Sequence, residues 1–294
     1  MKVFTPIMPQ MHQTPLHLLP VAPTFFDWRG HAIACYQAGS GPPVLLIHSI
    51  NAAASAFEMR APFRELARDH TVYAIDLLGY GESDRPARRY QASDYIALIG
   101  AVLERIGTPT TLIASSLGAA YGVAAAAARP DLVQALVLIC PTGINQLADP
   151  PSANQYAFYR VLRGPVGRAL FRALISRAGT RYFLRQQAYA NDASLDAETL
   201  DGFYRTSHRS GAIYAPICFL SGQLNCQIGA QFAQLTQPIL IIWGRQATTT
   251  PLSQADAFLA RNHRAQLAVV DSASLLVQDE KPAEFARLVR KFLA

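Results

Sequence analysis

Thr111-Leu112-Ile113-Ala114-Ser115-Ser116-Leu117-Gly118 is the stretch on which the reading of this chain turns. Its first four residues make a short apolar run of strand character, and an alanine-rich helical segment, Leu117 to Ala128, follows at once. A serine at that junction, with small residues (Ala114 and Gly118) two positions away on either side, fits a sharp strand-to-helix turn. Such a turn lifts the Ser116 hydroxyl above a sheet. It also puts the Leu117 amide at a helix N-terminus, where it can stabilise an oxyanion.

Working outward, three more apolar runs have the same character: Val44–Ile47, Val72–Ile75 and Ala135–Ile139. Strands apolar on both faces belong in a parallel sheet covered by helices on each side. Helical stretches alternate with them, from Ala56 to Arg68, Ala92 to Ile106 and Leu117 to Ala128, the last stopped by Pro130-Asp131. Two later strands, Pro238–Trp243 and Gln266–Val270, precede a closing helix from Pro282 to Phe292. This alternation predicts a doubly wound α/β domain. Between about 145 and 235 the alternation stops, and arginine-rich helical stretches with Tyr and Phe replace it. An insertion there predicts a helical lid over the carboxyl ends of the strands, where open α/β sheets bind ligands. The expected organisation is an N-terminal extension (1–24), a first core part (25–144), the lid (145–235) and a second core part (236–294).

These motifs resemble those of the α/β-hydrolase superfamily over nearly the whole chain. Pro43-Val44-Leu45-Leu46-Ile47-His48-Ser49 is similar to the strand and His-Gly turn of that superfamily, with Ser49 in place of the glycine. The resemblance implies a second oxyanion amide at Ile50. Asp76-Leu77-Leu78-Gly79-Tyr80-Gly81-Glu82-Ser83-Asp84 closely matches the family's Asp-x-x-Gly-x-Gly-x-Ser-Asp turn. There the glycines, Asp76 and Ser83 read as structural, as does His48. The implied fold is a mostly parallel, eight-stranded sheet with the helical lid inserted after strand 6.

At two places the chain departs from the family's pattern. Where the family reads Trp-Gly-x-x-Asp after the seventh strand, this chain reads Trp243-Gly244-Arg245-Gln246-Ala247, so the acid position holds Ala247. The alternative acid position, at the end of the sixth strand, falls in Cys140-Pro141-Thr142-Gly143-Ile144, which has no carboxylate. Where the family reads Gly-His-x-Pro and then Glu-x-Pro, this chain reads Ser274-Leu275-Leu276-Val277 and then Glu280-Lys281-Pro282. Anchored on Glu280 and Pro282, the histidine position is Leu275; one residue earlier it is Ser274. Neither side chain takes a proton from serine, and an unassisted serine is a poor nucleophile at neutral pH.

Composition narrows the alternatives. About half the 294 residues are apolar and 16% are charged, enough for a large core. No apolar run reaches the ~18 residues that span a bilayer, and the N-terminus does not read as a secretion signal. Cys35, Cys140, Cys218 and Cys226 lack paired spacing and read as buried thiols of a reducing, cytoplasmic compartment. The histidines are not spaced as metal ligands, and neither a metal nor a cofactor is expected. The net charge is +6, and residues 151–190 hold seven arginines and no acid. No recognised nucleic-acid module accompanies them.

Three functions remain. The first is a ligand-binding protein with little ordinary hydrolase activity, holding an apolar small molecule or ester among Ser116, Ile50, Leu275 and the lid. The second is an esterase- or lyase-like enzyme in which the lid residue His208 is a relocated base, with Asp271, Asp279 or Glu280 nearby. The third is a scaffold or membrane-peripheral subunit that docks its arginine-rich lid on a membrane or an acidic partner.

Overall fold

The computed structural model describes residues 16–191 and 195–294. Residues 1–15 of the N-terminal extension lie outside the described residues. Of the remainder, Leu16, Leu18 and Leu19 are buried on the core, and the Leu16 amide donates to Glu82 Oε1 at 3.2 Å.

The sheet has eight strands: β1 (Thr24–Trp28), β2 (His31–Ala38), β3 (Pro43–Ile47), β4 (Thr71–Ile75), β5 (Thr110–Ser115), β6 (Val133–Ile139), β7 (Ile239–Gly244) and β8 (Ala265–Val270). Their spatial order is β1-β2-β4-β3-β5-β6-β7-β8. β1 and β2 pair antiparallel, as do β2 and β4, and every later neighbour is parallel. All six strands read from the sequence are present. Two further strands, β1 and β2, join them beyond β4, and β5 lies among the central strands with every residue buried.

Helices α1 (Arg60–Leu66), α2 (Ala92–Ile106) and α3 (Ser116–Ala128) follow β3, β4 and β5. The single helix expected from Ala56 to Arg68 is instead a 3-10 turn, Ala56–Met59, running into α1. Pro62 explains the break. It has no N–H for the Glu58 carbonyl, so α1 begins where Pro62 falls in the first turn. The Glu58 carbonyl accepts from Gln278 Nε2 instead, at 3.2 Å.

Between β6 and β7 lie α4 (Ala153–Leu162), α5 (Pro165–Ile175), α6 (Arg177–Phe183), α7 (Ala197–Ser207), α8 (Tyr214–Leu220) and α9 (Gly229–Gln234). A π turn, Leu184–Ala188, extends α6. After β7 come α10 (Ala255–Leu259), the single turn α11 (Val277–Glu280) and α12 (Pro282–Leu293).

The Asp76–Asp84 turn is built as its residues required. The Asp76 carboxylate accepts from the Ala56 amide at 2.7 Å, the Glu82 amide at 2.7 Å and the Tyr36 hydroxyl at 3.1 Å. Ser83 Oγ donates to the Asp76 carbonyl and accepts from the Ala34 amide. A Cβ on Gly81 would stand 1.8 Å from Asp76 Cγ, so only glycine fits there.

The four cysteines are unpaired and buried. Burial pushes the Cys35 and Cys140 thiols up to about 12 and Cys226 to about 11, and it raises Cys218 as well. Thiols of the unfolded chain titrate near ~8.5. Above that pH the unfolded state releases protons first, so this contribution to stability, full below ~8.5, declines as pH rises towards about 12. The native protein should therefore resist a thiol reagent at mildly alkaline pH and expose all four groups only with denaturant. Its urea midpoint should fall as the pH is raised through that window. Stoichiometric thiol reaction of the folded protein would contradict this.

Candidate active site

The turn at Ser116 carries the site. Ser116 takes φ 52°, in the left-handed region that disfavours any residue with a Cβ, and the chain passes from β5 into α3 across that one residue. Gly118, one residue beyond Leu117, packs directly under the loop after β3: a Cβ there would lie 2.2 Å from the His48 carbonyl oxygen. The Leu117 amide belongs to the first turn of α3, whose N–H groups have no acceptor within the helix.

A chamber of about 220 Å3 opens beside Ser116. The loop after β3 supplies Ser49, Ile50 and Asn51, and the loop after β6 supplies Thr142, Gln146 and Leu147. Thr249 and Thr250 follow β7, and Leu275 follows β8. From the insertion come Phe183, Gln187 and Phe219. Gln187 sits on the π turn, a distortion frequent at functional sites. Among the described residues lining this chamber none is ionisable near neutral pH, and more of them are polar than the sequence reading of an apolar pocket implied. The Thr142 and Thr249 hydroxyls are buried without a hydrogen-bond partner among the described residues.

Other side chains named from the sequence have other positions. Leu275 rather than Ser274 faces the chamber; Ser274 Oγ donates to the Gln187 carbonyl at 3.2 Å. Ala247 is buried in the turn after β7, its amide donating to the Gly244 carbonyl, and does not line the chamber. His208 is not brought to Ser116. It is exposed, stacks on Tyr204 at 3.8 Å and lies in a separate hollow that shares no residue with the chamber. The reason is local: His208 caps the end of α7, and its Nδ1 is held 2.7 Å from the Tyr204 carbonyl.

The nearby carboxylates are also committed elsewhere. Asp271 pairs with Arg245 at the surface. Asp279 pairs with Arg60 at 2.7 Å and accepts from Tyr189, and burial raises its carboxyl despite the cation. Glu280 accepts from the amides of Ser274 at 2.6 Å, Ala190 at 2.8 Å and Asn191 at 3.2 Å, which fastens the insertion to the loop after β8. His48 has the structural role expected: Nε2 accepts from the Leu77 amide at 3.1 Å, so Nδ1 carries the proton and donates to the Ser49 carbonyl at 2.6 Å.

Sequence reasoning missed Glu58. Its carboxylate is fully buried and accepts from the Ser49 amide at 2.9 Å, Ser49 Oγ at 3.0 Å and Asn51 Nδ2 at 2.8 Å. It holds the loop that carries Ile50 against the chamber. The available signal was a lone acid between Phe57 and Met59, because a carboxylate on an apolar face is normally paired.

Sheet order, a left-handed serine between β5 and α3, and a helical insertion between β6 and β7 together define an α/β-hydrolase fold. The chain belongs to the alpha/beta hydrolase family, whose sequence profile matches residues 44–288. It is 26% identical over 288 residues to an uncharacterized protein of Mycobacterium tuberculosis, covering 93% of this chain and 82% of that protein. It is 27% identical over 265 residues to the 2-hydroxymuconate semialdehyde hydrolase of Pseudomonas sp. strain CF600, covering 88% and 89%. The crystal structure of a serine hydrolase involved in carbazole degradation superposes with a TM-score of 0.77 at 21% identity, covering 92% of this chain and 98% of that one.

Two substitutions test how the turn is held. Ser116→Gly relieves the left-handed strain and should raise stability by roughly 0.5–1 kcal/mol after the entropy of the added glycine. Gly118→Ala forces a methyl into the His48 carbonyl and should lower stability by about 2 kcal/mol or more. Denaturant unfolding measures both; a neutral Gly118→Ala would contradict the close approach.

Proposed function

We propose that this chain binds an uncharged, elongated small molecule in the chamber at Ser116 and the hollow beside it, and that it does not carry out Ser-His-Asp hydrolysis. The lining of the chamber carries this reading: Ser116 shares it with residues that neither accept a proton at neutral pH nor hold a charge. General-base catalysis requires the base within ~3 Å of the hydroxyl or one water away. The family's acid and histidine positions hold Ala247 and Leu275, and the carboxylates nearest by sequence are committed to other partners.

The ligand class follows from the walls. An apolar hollow of about 420 Å3, lined by Ala52, Ala53, Ile175, Pro216 and Leu220 among others, shares Asn51, Phe183, Gln187 and Phe219 with the chamber. The two spaces therefore meet at those four side chains. One end of a ligand offers a carbonyl or hydroxyl to the unpartnered Thr142 and Thr249 hydroxyls, which are costly to bury unsatisfied. The rest lies along the apolar hollow, and the insertion acts as its lid. The relatives named as hydrolases support the place of the site and not the reaction. The reading of His208 as a relocated base gains nothing from its position in a separate hollow.

The experiment uses p-nitrophenyl esters of increasing acyl length. They should raise the unfolding temperature with concentration, more for octanoate than for acetate, because a ligand bound only by the folded state stabilises it. Hydrolysis should be no faster with wild type than with Ser116→Ala. Ser116-dependent turnover would overturn the absence of hydrolysis. Absence of any shift, in a protein whose organic extract also yields no small molecule, would overturn the binding.

A further inference from the structure

The outer face of the insertion carries a chemistry that the chamber does not use. Every large apolar side chain exposed among the described residues lies between Tyr156 and Leu220. On α5 the exposed Val166, Leu170 and Leu174 repeat every four residues and form one stripe, next to a buried stripe of Gly167, Phe171 and Ile175. Arg168 and Arg172 occupy the other flank of the same helix. Residues 151–190 contain no acidic side chain, and Arg160, Arg168, Arg172 and Arg181 make no ion pair among the described residues.

Two hollows meet at α5. On the arginine flank lies one of about 540 Å3 whose wall includes Arg168, Arg172, Arg177 and His208 and, among the described residues, no carboxylate. On the apolar flank lies the hollow of about 420 Å3 that adjoins the Ser116 chamber, with the exposed Leu174, Tyr182 and Leu220 in its wall. Ile175 belongs to both walls. Cationic and apolar surface thus stand side by side on one helix, in the arrangement that matches anionic headgroups above acyl chains.

We propose that α5, with the adjoining parts of α4, α6 and α8, is a docking face for an anionic lipid bilayer. Arginines on one flank of α5 meet the headgroups, and Val166, Leu170, Leu174 and Tyr182 enter the acyl boundary. No helix among the described residues is long and apolar enough to cross a membrane, so the attachment is peripheral. It sets the apolar hollow against the bilayer, the source of an apolar ligand. The attachment itself is independent of whether Ser116 reacts.

Flotation of the full chain with vesicles tests it, using phosphatidylcholine alone and phosphatidylcholine mixed with phosphatidylglycerol. The chain should float with the mixed vesicles and far less with the neutral ones. Each arginine lost at an anionic surface weakens binding by about fivefold, so Arg168→Glu/Arg172→Glu/Arg181→Glu should lose at least about a hundredfold. Leu170→Ser/Leu174→Ser should also weaken binding, and more visibly at high salt, where the charge contribution is screened. All these side chains are exposed, and circular dichroism confirms that the variants fold. Absence of flotation, equal flotation with both vesicles, or indifference to both variants would overturn the proposal. So would self-association in sedimentation, abolished by Leu170→Ser/Leu174→Ser in a chain that does not float, because a second copy would then cover this face.

Discussion

At Ser116 the backbone leaves β5 and enters α3 across one residue, at φ 52°, and much of the site's geometry follows from that turn. A left-handed residue with a side chain is strained by roughly 1–2 kcal/mol and persists only where its surroundings over-determine it. Here they do. β5 is buried along its whole length, and Gly118 brings α3 against the His48 carbonyl. His48 in turn ties the loop after β3 to Leu77 after β4, and the Thr142 amide donates to the Ser116 carbonyl at 3.3 Å. Three loops at the carboxyl edge of the sheet are thereby fixed relative to one serine.

The loops so fixed bring hydroxyls, amides and hydrocarbon to Ser116, and, among the described residues lining the chamber, no side chain that ionises near neutral pH. Polar groups are still used heavily around it, but as structure. Glu58 braces the loop of Ser49 to Asn51, and Glu280 joins the insertion to the loop after β8. Each carboxylate has donors for its burial, and neither lines the chamber. The scaffold around Ser116 is preorganised, and the proposed binding role draws on that preorganisation rather than on proton transfer.

Much of this was legible from the sequence. The central strands announced themselves by runs apolar on both faces, and the Ser116 turn by its strand, its small neighbours and its helix. β1 and β2 were harder to read: Thr24–Trp28 is interrupted by Asp27, and His31–Ala38 mixes small and polar residues. They are strands because they pair with each other and β2 also pairs with β4, a long-range cause that local pattern does not carry. The break at Pro62 could have been read from the missing N–H. The direction of His208 could not, because it depends on where α7 ends and what Tyr204 offers it. The chamber's unpartnered threonines were hidden for a related reason, since Thr142 and Thr249 lie more than a hundred residues apart in the chain and meet only across β6 and β7.

The most direct test of the central claim is labelling of the folded wild-type chain with a fluorophosphonate probe, alongside Ser116→Ala. A serine without a base should give no Ser116-dependent adduct, leaving the two proteins indistinguishable. Labelling of the wild type that disappears in Ser116→Ala would contradict the account and show that a proton acceptor reaches the chamber.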